Sequence, residues 1–478
     1  MNTAMIGYRA RVETAWKNMR ANRGVRPADM VNGLKMVQPL RSMESTGESI
    51  NLMRLGMDLF TRLEVAYQPY DGSSDPGERV GSGGLVHVRG GEPRVGLFVD
   101  SPDHLSGVAL TLGEWAGQAR ARKLPFTLHS CGEPVEAPDQ VVFRPMGSIR
   151  LDAYAGLKVN VPKVEDVLRY IDRMAFDVIH VSTPGPMGLL GVMAARHRGL
   201  PVCGTYHTDF PAYARTLSGD GEMEEIGWKV MRWFYGQLDR VAAPTETVRR
   251  NLIAHGFAAE NLAVVGRGVK TSAFHPRFRS REWRAQWGGD RRLKLLYVGR
   301  ISKEKNLETL VGAFRQLNRT RPDLSLVVVG DGPYRAEMEG ALAGLPVSFT
   351  GVLHGQDLAT AFASCDVFVF PSRTDTYGRV VLEAQASGLP VVVSDEGGPK
   401  DAMVNRVTGD VIAGVDEIRL AETINRLTDD PARLVQMRQA ARKFAEARTP
   451  EASFEAFWTL HREMYDPKQE PQQAEVNV

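Results

Sequence analysis

A chain of 478 residues is longer than one ordinary hydrophobic core supports, so two domains plus extensions, and a cleft between them, are expected. With 59 Lys and Arg against 57 Asp and Glu the formal charge is +2, which excludes nucleic-acid binding driven by bulk electrostatics. Cys131, Cys203 and Cys365 are far apart, lack metal-type spacing and sit in or beside apolar runs, as reduced thiols do. No stretch approaches the ~18 apolar residues of a membrane span and no secretory core opens the chain, so a cytoplasmic protein is expected.

Residues 1–91 form an extension. Tyr8, Val12, Trp16 and Met19 recur at helical spacing among Arg9, Arg11, Lys17 and Arg20, which predicts a basic amphipathic helix. Such a helix packs on the body or touches the inner face of a membrane. A second helix is expected over residues 49–67 and a glycine-rich loop over 71–91.

From Arg94 onward short apolar runs alternate with helical patterns: RVGLFVD, FDVIHVS, PVCGTYH and RVAAP, then LKLLYVG, LSLVVVG, DVFVFPS and PVVVSDE. Near-continuous apolar strands separated by helices predict an α/β protein with two doubly wound parallel sheets. The reading assigns 92–270 to a first Rossmann-like domain, 271–290 to an Arg-rich connection and 291–450 to a second Rossmann-like domain. Residues 451–465 are read as a terminal helix packing back on the first domain, and 466–478 as a disordered tail.

In the second half, LKLLYVG runs into GRISKEKN. Gly299, Arg300 and Lys305 therefore lie at a strand's carboxyl end, beside a helix N-terminus, where two cations suit an anion such as a diphosphate. GDGPYR closes the next strand with small residues, and VSFTG delivers Val352 and Leu353 to a loop. The run SRTDTYGRVVLEAQASG brings Asp375, Thr376 and Tyr377 in a loop, Gly378 at a turn, then Val380 and Glu383 on a helix. GGPKDAM is another glycine-rich junction. Four junctions on one edge, with two cations and two carboxylates, suggest a nucleotide-sugar pocket. A glycosidase-type use of Asp375 and Glu383 is disfavoured, because both project from one domain and do not flank a bond.

The runs GRISKEKNLETLVGAF, VVVGDGP, FTGVLHGQDLATAFASCDVFVFPSRTDTYGRVVLEAQASGLPVVVSDEGGPKD and TYHTDFPAYA resemble the large fourth family of retaining glycosyltransferases. The resemblance covers about Arg94 to Met464 and is similar to the branch of GDP-mannose-dependent lipid mannosyltransferases and sulfoquinovosyl-type transferases. It implies a GT-B fold, two facing Rossmann-like domains around a cleft. By position it implies that Arg300 and Lys305 bind the donor diphosphate and that Glu383 holds the ribose hydroxyls. Asp375 stands where the family's first glutamate meets the transferred sugar, one methylene shorter. Val352 and Leu353 match backbone contacts to the base, and Ser106, Gly107 and Val108 a loop near the donor phosphates. His207 matches a histidine near the reacting sugar, with Tyr206, Asp209 and Tyr213 on the acceptor side.

The resemblance further implies transfer with retention through an oxocarbenium-like transition state, with Arg300 and Lys305 stabilising the leaving diphosphate. The leaving phosphate oxygen then accepts the acceptor's proton. No Asp-x-Asp occurs, as expected of metal-independent chemistry without a cofactor. The expected partners are GDP-mannose or a UDP-sugar and a lipid or glycan acceptor, with no nucleic acid. Two alternatives stand beside transfer: a nucleotide-sugar epimerase, and a non-catalytic member that binds nucleotide sugar or lipid.

Overall fold

The computed structural model describes residues 91–100, 107–133, 139–151, 157–289 and 293–465. The predicted amphipathic helix, the second helix, nearly all of the glycine-rich loop, the C-terminal tail and Ser106 lie outside these residues.

The first half supplies β1 (Val95–Phe98), β2 (Phe126–Cys131), β3 (Gln140–Phe143), an antiparallel hairpin of β4 (Pro145–Leu151) and β5 (Leu157–Pro162), then β6 (Val178–Val181), β7 (Val202–Thr205), β8 (Arg240–Ala243) and β9 (Leu262–Val264). Seven of them pair in parallel in the order β3-β2-β1-β6-β7-β8-β9. The second half supplies β10 (Leu293–Val298), β11 (Leu324–Val329), β12 (Val347–Gly351), β13 (Val367–Phe370), β14 (Val391–Ser394) and β15 (Gly409–Ile412). These form a parallel sheet in the order β12-β11-β10-β13-β14-β15. The apolar runs are buried end to end in β1, β6, β7, β11, β13 and β14, as expected of strands covered by helices on both faces.

Among the described residues, seven helices begin at a side-chain cap that the sequence offers. Asp209, Asp220, Thr245, Ser280, Asp416, Asp430 and Thr449 each accept a backbone N–H of the turn that follows. Each such cap contributes about 1 kcal/mol. Within the Arg-rich 271–290 stretch, Trp283 and Trp287 pack on the second core. Arg279 and Arg284 converge with Arg438 on the buried Asp366 carboxylate at 2.8, 2.9 and 3.2 Å. The last helix, Pro450–Met464, returns to the first sheet, where Phe454, Phe457 and Trp458 are fully buried against Val95, Leu97 and Trp115. The chain therefore crosses between the halves twice, at residues 265–269 and near Thr449. The two crossings touch, since Val269 N–H donates to the Arg448 carbonyl at 2.9 Å.

Candidate active site

Each parallel sheet reverses its strand order at one place, between β10 and β13 in the second half and between β1 and β6 in the first. Helices leave such neighbours in opposite directions, so a crevice opens at their carboxyl ends. The sequence-predicted residues gather at these two crevices, and the crevices face each other.

After β10 the chain turns at Gly299 and forms a tight turn over Lys303–Lys305 before the helix Leu307–Thr320. After β13 it delivers Ser372 and Asp375. The Lys305 ammonium lies 3.0 and 2.9 Å from the two Asp375 oxygens, and Ser372 Oγ donates to the same carboxylate. Burial alone lowers the Lys305 pKa, but the Asp375 charge and hydrogen bonds outweigh it and hold the pKa above its ordinary value. Two predicted donor contacts are thus a single ion pair. The Asp375 carbonyl accepts the Gly398 N–H at 2.8 Å, tying the GGPKDAM junction to the same loop.

Gly378 initiates the helix Arg379–Ala386 at φ +75°, with the Pro399 ring 3.1 Å from where a Cβ would stand. Only glycine meets both demands cheaply. Glu383 is buried one and a half turns into this helix, and burial raises its pKa while Arg379 partly offsets the rise. Arg379 Nε is 3.8 Å from Glu383 and has no hydrogen-bond acceptor. Its two terminal nitrogens donate to the Glu114 carboxylate at 2.7 Å each. Glu114 belongs to the helix Gly107–Ala121 of the first half, so this bidentate pair spans the cleft.

Gly107 and Val108 open that helix at the carboxyl end of β1. Beside them Asp100 accepts N–H bonds from Gly185 and Met187 at 3.1 and 2.7 Å and a hydroxyl bond from Thr183, capping the helix Pro186–Arg198. Burial pushes Asp100 up to about 6 despite those bonds. After β7, Tyr206 is buried and its hydroxyl donates to Asp209 at 3.2 Å, while Asp209 accepts the Ala212 N–H. Desolvation raises the pKa of both. These bonds give Tyr206 and Asp209 a structural task at the start of the helix Phe210–Ser218. Tyr213 lies on that helix, which packs against the Lys303–Lys305 turn of the other half.

His207 is where the halves meet most closely. Its carbonyl accepts from Thr376 Oγ1 at 2.6 Å, and its Nδ1 lies 3.2 Å from an Arg267 terminal nitrogen. Nε2 is shielded from solvent and has no hydrogen-bond partner among the described residues. Burial, and then the Arg267 charge, push the His207 pKa well below its usual value. Tyr377 donates to the Arg267 carbonyl at 3.0 Å. The hydroxyls of Thr376 and Tyr377 therefore join the two halves.

Other predicted residues lie further off. Val352 and Leu353 follow β12, the edge strand, with Val352 49% exposed, and Val380 is half-buried on the Arg379–Ala386 helix. The Arg300 carbonyl accepts from the Tyr297 hydroxyl at 2.8 Å. Glu114, Arg267 and Arg379 were missed from sequence. The available signals were an arginine between two glycines in GRGVK and an acid in the middle of an apolar helix.

Among the described residues one cluster has metal-ligand chemistry, His180, Cys203 and His461. His180 Nδ1 is 3.0 Å from His461 Nε2, His180 Nε2 is 2.9 Å from Thr205 Oγ1, and His461 Nδ1 donates to the Phe457 carbonyl at 2.8 Å. Every ring nitrogen thus has a hydrogen-bond partner, and the cluster joins the terminal helix to β6 and β7 through protein bonds alone.

The Glycosyltransferase Family 4 model matches residues 105–273 and the Glycosyl transferases group 1 model residues 279–444. A GDP-mannose-dependent alpha-mannosyltransferase of Mycobacterium tuberculosis is 34% identical over 283 residues, 59% of this chain and 70% of that protein. The chain belongs to the glycosyl transferases group 1 family. The sulfoquinovosyl transferase SQD2 of Arabidopsis thaliana is 37% identical over 49% of this chain, a match that spans 46% of the plant protein. The GDP-mannose-dependent alpha-mannosyltransferase of Mycolicibacterium smegmatis is also 37% identical, over 53% of this chain and 64% of that protein. Among solved structures, the Anabaena protein HepE, in complex with UDP and glucose, superposes with a TM-score of 0.61 at 19% identity, covering 77% of this chain and all of that one. A sucrose-phosphate synthase from Thermosynechococcus elongatus gives 0.63 at 21% identity, covering 77% and 98%. At these identities the likeness concerns the fold, and the fold of this family member is GT-B.

Proposed function

We propose that the protein is a retaining glycosyltransferase that moves a hexose, mannose in the first instance, from a nucleotide-diphosphate sugar to a hydroxyl of a membrane lipid or glycolipid headgroup. The observation that carries this reading is the meeting, across one cleft, of Lys305, Asp375 and Glu383 at one switch point with His207 opposite them. The mannosyltransferase and sulfoquinovosyl transferase relatives support the choice of donor and acceptor class.

In this reading residues 291–450 hold the donor and 92–270 the acceptor. Lys305 is held as an ammonium, and with Arg300 it meets the negative charge that grows on the leaving diphosphate. Glu383, raised in pKa by burial, holds ribose hydroxyls, and the backbone at Val352 and Leu353 meets the base. Asp375 orients the sugar while neutralising Lys305, which keeps the two charges from being buried unpaired. The transferred sugar lies under His207, and the departing phosphate oxygen takes the acceptor's proton, so neither a metal ion nor a cofactor enters the proposal. Among the described residues no helix is long and apolar enough to cross a membrane. Contact with lipid is therefore assigned to a peripheral surface.

The test is release of nucleoside diphosphate from a panel of GDP- and UDP-sugars, with and without bacterial lipid extract. Release from one donor only when lipid is present is the expected result. Donor binding without release under any condition would move the assignment to a binding protein, and interconversion of donor epimers to an epimerase.

A further inference from the structure

The connection between the halves passes through Gly266, Arg267 and Gly268, and its path is closely determined. Ser453 Oγ donates to the Gly266 carbonyl at 2.8 Å, Tyr377 holds the Arg267 carbonyl, and a Cβ at Gly268 would collide with the Thr449 backbone. Arg267 is therefore held in place by two separate elements, the start of the terminal helix and the loop that carries Tyr377. The residue is 6% exposed and has no carboxylate within ion-pair distance among the described residues. The guanidinium stacks over the Trp115 ring at 4.9 Å, one terminal nitrogen donates to the Val265 carbonyl at 3.2 Å, and the other faces His207 Nδ1 at 3.2 Å. A buried arginine without an acid is costly, and the cation–π contact with Trp115 repays only part of that cost.

Arginine has donors and no acceptor. The nitrogen it faces must therefore present a lone pair, and a neutral imidazole with its lone pair on Nδ1 carries its proton on Nε2. That is the nitrogen of His207 that is shielded from solvent and lacks a hydrogen-bond partner among the described residues. We propose that Arg267 is a positioning residue that holds His207 as the neutral Nε2–H tautomer, so that this N–H is a fixed hydrogen-bond donor to an oxygen of the transferred sugar.

One consequence concerns the chemistry. In this state the one lone pair of the His207 ring is on Nδ1 and faces Arg267, so His207 is not the base that takes the acceptor's proton. Its role is to donate a hydrogen bond, and no proton leaves the ring during turnover. The charged and titratable groups around it act in the same direction. Arg267 from the connection opposes an imidazolium, and His180 of β6 is itself held neutral by burial and by His461, His207 and Arg267. The Glu114–Arg379 pair is internally neutralised. Among the described residues, Trp115, at 6.4 Å between ring centroids, and Thr376 also lie against His207 and carry no charge.

This inference rests on the reading that places the sugar at His207, and the test separates the two. In protein with ¹⁵N-labelled histidine, the His207 resonances, assigned by loss in His207→Gln, report the tautomer whatever the substrate. The expected result is the neutral Nε2–H form from pH 6 to 8 in the wild type. In Arg267→Met the expected result is a switch toward Nδ1–H or a titrating imidazolium. Turnover in that variant is expected to fall on the order of 10- to 100-fold, the scale of one lost preorganised donor, with donor KM changed less than threefold. Arg267→Lys, which keeps a donor and a charge, is expected to restore part of kcat. A wild-type Nδ1–H tautomer or imidazolium at neutral pH overturns the proposal even if Arg267→Met does not fold. Unchanged tautomer and kcat in a folded Arg267→Met also overturn it. If the tautomer behaves as expected but no sugar is transferred from any donor, the assignment of Arg267 stands and the transferase reading fails.

Discussion

The two switch points perform their tasks with opposite chemistry. At the second sheet, full charges face one another: Lys305 with Asp375, and Arg379 between Glu383 and Glu114. At the first stand a buried histidine, an indole and an arginine that has no carboxylate within ion-pair distance among the described residues. The difference fits a reaction in which negative charge grows on one partner only. Paired charges on the donor side can rearrange as a diphosphate develops charge, whereas the sugar side needs donors of fixed direction.

Lys305→Ala breaks the comparison most severely. It removes the cation and leaves Asp375 buried beside Ser372, so kcat is expected to fall about 10²- to 10³-fold, measured by nucleoside diphosphate release. A rate near wild type would place the diphosphate elsewhere. Next is Glu383→Gln, in which the amide is isosteric but ribose hydroxyls lose a carboxylate. Donor KM is expected to rise about tenfold with kcat changed much less, the signature of lost ground-state binding. An equal loss in kcat alone would assign Glu383 to the chemistry.

Glu114→Gln tests whether the halves communicate through the clamp. Arg379 then loses a bidentate partner and is left with Glu383, and donor KM is expected to rise about threefold while stability falls by about 1 to 2 kcal/mol. Small-angle scattering with and without nucleoside diphosphate is expected to show a more open average shape than wild type. Identical profiles would show that Thr376, Tyr377 and the Thr247–Asp401 bonds suffice to keep the cleft closed.

The mildest test concerns the join between the terminal helix and the first sheet. Burial pushes His461 down to about 4, against an ordinary value of 6.5 in the unfolded chain, and pushes His180 down as well. Between those two values the unfolded state binds more protons, so stability is complete above pH 6.5 and is lost as pH falls toward 4. Near pH 5 His461 accounts for a loss of about 2 kcal/mol. Urea midpoints at pH 7.5 and 5 measure it, and His461→Leu is expected to flatten the dependence. An unchanged slope in that variant would assign the acid sensitivity to other groups.

How legible each part was follows from how local its cause is. The mostly apolar strands β10, β11, β13 and β14 stand out because burial on both faces requires nearly every residue to be apolar. β2, FTLHSC, does not, because His129 and Ser130 are polar yet buried. His129 stacks on Phe98 at 4.5 Å and is pushed down to about 3 by burial, so it behaves as an apolar ring that only its neighbours make comprehensible. β15, GDVI, is hidden in the same way. Its buried Asp410 depends on Arg426 and Arg433, at 3.3 and 3.5 Å, brought by later helices.

By itself the sequence determined the two doubly wound halves, the place of Lys305, Asp375 and Gly378 after strand ends and that of Glu383 in the helix that follows, because each rests on a short pattern: an apolar run, a turn glycine, a helix start. Only the tertiary structure decided that Lys305 and Asp375 are partners, that Thr376 and Tyr377 bond to the opposite half, that Asp209 serves as a cap, and that Glu114 and Arg267 reach the cleft. Those pairings join residues that are distant along the chain. Their chemistry depends on desolvation and on the direction of single hydrogen bonds, and neither exists until both halves have folded and met.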